Sequence, residues 1–143
     1  MPALRLLADQ ALHLRLVGLL LTVVGLAHLA LPKALGWDTE MRRLSLVNRQ
    51  VSYLHAFFIG LACIQFGLLA WLGAGQLLTG SPLARGVLVA AAVFWGCRLG
   101  AQLVVFDSAL WRGRRLTVLG HVAFVVLWSY VTGVFSWSLW PGA

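Results

Sequence analysis

The chain alternates long apolar stretches with short polar ones. Four runs rich in Leu, Val, Ala, Gly, Phe and Trp cover about 14–31, 51–72, 83–106 and 116–137. Each is near the ~20 residues that an α-helix needs to cross the ~30 Å hydrocarbon core of a bilayer. In lipid, only helices and closed barrels satisfy every backbone N–H and C=O, and these runs are too long and continuous for barrel strands. The pattern therefore predicts an all-α integral membrane four-helix bundle with antiparallel neighbours, one transmembrane domain over residues 1–143.

The connections refine this picture. Pro32 marks the expected stop of the first span, because its ring and missing N–H oppose helix continuation. The longest connection is 33–50, where Asp38 or Thr39 is the expected cap of a short helix through Leu44. The stretch 73–82 is rich in Gly and ends in Ser81-Pro82, which predicts a turn. Ahead of the first span, Arg5, Asp9 and His13 recur every four residues among Leu4, Leu7, Ala8, Ala11 and Leu12. That spacing predicts a short interfacial N-terminal helix leading into the span. Arg5 and Arg15 precede the apolar run as in a signal peptide. The leading segment is long for one and no A-x-A site follows, so the run is read as a retained helix.

Composition supports the membrane reading. The chain is 61% hydrophobic and 10% charged, against roughly 45–50% and about 25% in soluble domains. A chain of this length keeps too much surface to hide that excess in one soluble core. A soluble enzyme, a disordered protein and a disulfide scaffold are excluded on this ground, and Cys63 and Cys97 lie inside apolar runs rather than in a disulfide pattern.

The net charge of +7 would suggest nucleic acid in a soluble protein. Here the bases sit between the apolar runs, where they report topology, and nucleic acid is not an expected partner. Lys33, Arg42, Arg43, Arg49, Arg112, Arg114 and Arg115 fall on one side of the bundle, and Arg5, Arg15 and Arg85 on the other. The positive-inside rule then makes the basic loops cytoplasmic and both termini external, as in a bacterial inner-membrane protein. Trp37, Tyr53 and Trp111 fit an inner aromatic belt, and Trp71, Trp137 and Trp140 an outer one.

The candidate chemistry lies in polar residues within the spans. His28, His55 and His121 each sit about one turn inside the cytoplasmic end of a different helix. Gln102 shares their layer, and Arg98 lies one turn deeper. An arginine in a span is costly, and such residues face the bundle or water and find partners. Trp95, Arg98 and Gln102 share one helical face. Small residues form further stripes: Gly18 and Gly25; Ala56, Gly60, Cys63 and Gly67; and Gly86, Ala90, Val93, Cys97, Gly100 and Ala101. These predict close helix contacts around an inward-facing cluster of His28, His55, His121, Arg98 and Gln102.

Three functions fit such a cluster. In the first, it holds a redox cofactor, heme b or a quinone, with His55 and His121 the first choice of metal ligands because both begin helices entering from the same face. Arg98 would pair with propionates or with a quinone head. In the second, the chain is a cofactor-free accessory subunit of a larger membrane complex, or a homo-oligomer. The histidines then bond loop carbonyls, Arg98 snorkels, and Arg42, Arg43, Arg112, Arg114 and Arg115 meet anionic lipid. In the third, it is a membrane enzyme or carrier for a small or lipid-soluble substrate. Against the third, the only carboxylates are Asp9, Asp38, Glu40 and Asp107, none of them mid-span. Asp107 is expected to cap the following turn or to pair with Arg112 or Arg115. No H-E-x-x-H or nucleophile motif is present.

Overall fold

The computed structural model describes residues 9–105 and 115–140, and it is all-helical over them. Four helices are long and apolar enough to cross a membrane: α1 (Gln10–Ala34), α3 (Leu46–Leu72), α5 (Pro82–Val104) and α6 (Arg115–Trp137). They are compatible with a membrane four-helix bundle. Two single turns lie between them, α2 (Trp37–Glu40), followed by a 3-10 turn at Met41–Arg43, and α4 (Ala74–Leu77). Residues 1–8 of the expected interfacial helix lie outside the described residues, as do Asp107, Trp111, Arg112 and Arg114. Asp9 is described, and its Oδ1 accepts from Leu12 N at 3.1 Å at the start of α1.

Large apolar side chains remain exposed along every span, among them Leu72 at 73% and Val104 at 84%. In water that surface would drive association; in hydrocarbon it is the solvated surface.

The chain divides into two compact units, one holding Met1–Leu14 and Ala74–Ala143, the other Arg15–Gly73. In the second unit α1 and α3 pair antiparallel along a glycine seam. A Cβ on Gly18 would lie 2.7 Å from the Gly67 carbonyl oxygen, and one on Gly25 would lie 2.7 Å from that of Gly60. Seven residues separate the glycines on each helix, two turns of the 3.5-residue repeat that keeps a seam in register. Cys63 is buried between Gly60 and Gly67 on α3. The small stripes read from the first two spans are thus real contact faces.

In the first unit α5 and α6 also run antiparallel. Gln102 meets His121, and Trp95 meets Trp128. Here the sequence expectation needs correction. The face of α5 that packs is Ala84, Leu88, Ala91, Trp95 and Gln102, not the small stripe. Val93 is 60% exposed, Cys97 is exposed, and a Cβ on Gly86 or Gly100 would meet nothing within 4 Å. Stacking one indole on another buries far more area than a glycine stripe can, and this sets the rotation of α5.

Two boundaries also differ. α1 runs through Pro32 to Ala34, because a proline in the last turn forfeits one hydrogen bond whose loss a helix end tolerates. The stop is Gly36, at φ 67°, the left-handed conformation that glycine adopts without steric cost. The short helix after it begins at Trp37, so Gly36 and not Asp38 or Thr39 is its cap. The Thr39 hydroxyl instead donates to the Gly36 carbonyl at 2.8 Å. α3 and α5 start on side-chain caps, Ser45 accepting from Asn48 N and Ser81 from Ala84 N, the usual remedy for orphan N–H groups.

Candidate functional site

The polar residues of α5 and α6 form one directed chain of hydrogen bonds. Arg98 Nη1 donates to Gln102 Oε1 at 3.1 Å. Gln102 Nε2 donates to His121 Nδ1 at 3.0 Å. A guanidinium has only donors, so it fixes which end of the amide faces it. The NH2 group must then face the imidazole, so His121 Nδ1 accepts and the proton of neutral His121 sits on Nε2. Gln102 is buried at 4% exposure, while Arg98 and His121 are half-buried.

Aromatic rings continue this site toward mid-span. The Arg98 Cζ lies 5.1 Å from the Trp128 ring centroid, a cation–π distance that offsets part of the charge's desolvation. Trp95 stacks on Trp128 with centroids 5.1 Å apart and planes 10° apart. Phe124 lies 5.9 Å from Trp128, also stacked. Below the stack, Trp128 Nε1 and Thr132 Oγ1 are buried with no hydrogen-bond partner among the described residues. The expected shared face of Trp95, Arg98 and Gln102 is therefore built, with His121 joined to it from α6.

The other two histidines lie in the second unit. His28 Nδ1 donates to the Val24 carbonyl at 2.8 Å, and His55 Nδ1 to the Val51 carbonyl at 2.9 Å. A carbonyl can only accept, so each neutral ring keeps its lone pair on Nε2. Their surroundings differ. His28 is half-buried against Gly60, whose Cβ would lie 2.8 Å from the His28 Cβ. His55 is exposed. It sits five residues before Gly60, roughly 140° around α3 from the face that meets α1. The two rings therefore occupy different faces of this helix pair. Among the described residues, no group of three or more His, Cys, Asp or Glu is placed to hold a metal ion.

One polar cluster was not anticipated. The buried Gln10 amide donates to the carbonyls of Trp137 at 3.2 Å and Trp140 at 3.0 Å at the end of α6, where the Trp137 carbonyl also accepts from Trp140 N at 3.1 Å. His13 Nδ1 and the Tyr130 hydroxyl lie 2.7 Å apart. The His13 ring also meets Trp137 edge-on at 5.6 Å. The available signal was depth. With four antiparallel spans, the start of the first and the end of the fourth come level, and His13 and Tyr130 lie in that layer.

Comparison of the chain with protein-family models, with curated proteins and with solved structures gives no match.

Proposed function

We propose that this small polytopic membrane protein holds the polar head of a quinone-like redox cofactor at Arg98, Gln102 and His121. The observation that carries the reading is the direction of the hydrogen-bond chain. It is made of N–H donors, with the guanidinium and amide directed along it and the imidazole proton placed on Nε2, and quinone carbonyls are acceptors of matching chemistry. Heme is less well served at this site. An axial imidazole that ligates through Nε2 keeps its proton on Nδ1, whereas His121 Nδ1 accepts from Gln102. Of the expected metal ligands, His55 has the suitable tautomer and His121 does not. The excess of basic residues in the 33–50 and 107–115 connections supports basic loops in the cytoplasm and both termini outside, in a bacterial inner membrane.

The test is an absorbance spectrum and a solvent extract of the gently purified protein, oxidised and then reduced. Stoichiometric quinone is expected, lost in Gln102→Leu with helicity retained. A Soret band that shifts on reduction, without quinone, would replace the quinone reading by heme and direct the ligand search to His28 and His55. A colourless, quinone-free sample from replete cells would refute both and favour the accessory-subunit reading, to be pursued through co-purifying chains.

A further inference from the structure

The second unit carries a groove and a basic cap that belong to one helix pair. The groove lies between α1 and α3 beside the glycine seam. Gly25, His28, Leu29, Phe57, Leu61 and Ile64 line it, and its volume is about 60 Å³. It is shallow and almost wholly apolar, so it receives one edge of an extended chain rather than enclosing a compact ligand. One turn further along each helix from Leu29 and Phe57 stand Lys33 and Tyr53, so the groove leads toward the connector.

The connector is built as a basic lid. Trp37 packs edge-on against Tyr53, with centroids 5.5 Å apart. The Tyr53 hydroxyl donates to Asp38 Oδ1 at 3.4 Å, and Arg42 Nε donates to the Asp38 carbonyl oxygen at 2.9 Å. Asp38, one of two acids here, is thus turned toward Tyr53. Lys33, Arg42 and Arg43 are exposed and Arg49 half-buried. Exposed Leu35, Leu44, Leu46 and Val47 flank them. Bases ringed by apolar side chains at the ends of two spans match the boundary between phosphate heads and acyl tails.

We propose that this face binds an anionic glycerophospholipid, with its phosphate among Lys33, Arg42, Arg43 and Arg49 and one acyl chain along the groove past His28. Charge complementarity selects the anionic head, and the apolar groove running down from the cap selects a lipid over a free anion. The site is independent of the quinone reading, since it uses none of the same residues.

The full chain in detergent micelles is titrated with phosphatidylglycerol and with phosphatidylcholine of identical acyl chains. Bound lipid is read by native mass spectrometry and stability by thermal melting. Phosphatidylglycerol is expected to bind more tightly and to raise the Tm further. Arg42→Gln with Arg43→Gln should weaken phosphatidylglycerol on the order of thirtyfold and phosphatidylcholine little. Leu29→Trp, which fills the groove from an exposed position, should weaken both lipids. Equal binding of the two lipids, or an undiminished preference in the double variant, would overturn the proposal. So would an equal Tm rise with inorganic phosphate alone, which would mark a free-anion site. Lipid binding untouched by Leu29→Trp would refute the acyl-chain seat.

Discussion

The glycine seam makes a quantitative demand. Replacing Gly67 by Ala puts a Cβ 2.5 Å from Thr22 Oγ1, 2.8 Å from the Gly18 carbonyl oxygen and 2.9 Å from Thr22 N. Two of these atoms are backbone and cannot rotate away. Ordinary contact begins near 3.4 Å, so α1 and α3 must separate by more than half an ångström. Overpacking of this kind costs about 1–3 kcal/mol, and the separation also weakens dispersion contacts along the seam. Alanine returns up to about 1 kcal/mol of helix propensity. Gly67→Ala should therefore destabilise by about 1–2 kcal/mol. Gly100→Ala and Gly133→Ala, where nothing lies within 4 Å, should be neutral or stabilising by up to about 1 kcal/mol. The assay is reversible unfolding in mixed micelles by SDS titration, following helicity. A double-mutant cycle sharpens it. Gly18 and Gly67 face each other, so once one alanine has opened the seam the second should cost less, a coupling of about 1 kcal/mol. Gly67→Ala as harmless as Gly133→Ala, or strict additivity with Gly18→Ala, would refute close backbone contact.

Two further perturbations address buried polar atoms. Thr132→Val keeps the shape and removes a buried hydroxyl without a partner among the described residues; it should stabilise by about 1 kcal/mol in the same titration. A loss of that size would mean the hydroxyl is bonded. Gln10→Leu removes both donors to the Trp137 and Trp140 carbonyls and should destabilise by about 1–3 kcal/mol. An unchanged midpoint would show that the end of α6 does not depend on this amide.

What was legible in the sequence follows from how far each signal reaches. Span length and hydropathy are properties of one segment, and a long apolar helix covers each of the four runs, with ends that differ from the pattern by up to five residues in either direction. The seven-residue glycine spacing reported the α1–α3 seam because contact between backbones leaves no alternative to glycine. The same logic failed on α5. A small stripe shows where a helix can be approached closely, and the Trp95–Trp128 stack offered a larger burial on another face. Arg98 and Gln102 were legible as a pair by their i, i+4 spacing, and His121 by matched depth. The direction of the bonds among them was not, because it depends on the amide orientation that the guanidinium imposes. Depth alone also could not separate His28 from His55, whose faces differ by rotation around α3. Gln10 escaped notice because its partners are backbone carbonyls, which carry no sequence signature.

The contacts of α1 differ greatly in sequence separation, and that sets an order of assembly. Its seam partners, Gly60 and Gly67, are synthesised soon after it. Its first turn closes on α6, through Gln10 to Trp140 across 130 residues and His13 to Tyr130 across 117. At roughly 5–20 residues per second of translation, that second set of partners emerges several seconds after the seam has formed. In the interval the Gln10 amide and the His13 ring must be held by water or lipid heads. A nascent chain halted before α6 should thus have a zipped α1–α3 hairpin with a protease-sensitive first turn, and completion of α6 should protect it. One of the earliest turns to be made is among the last to be locked.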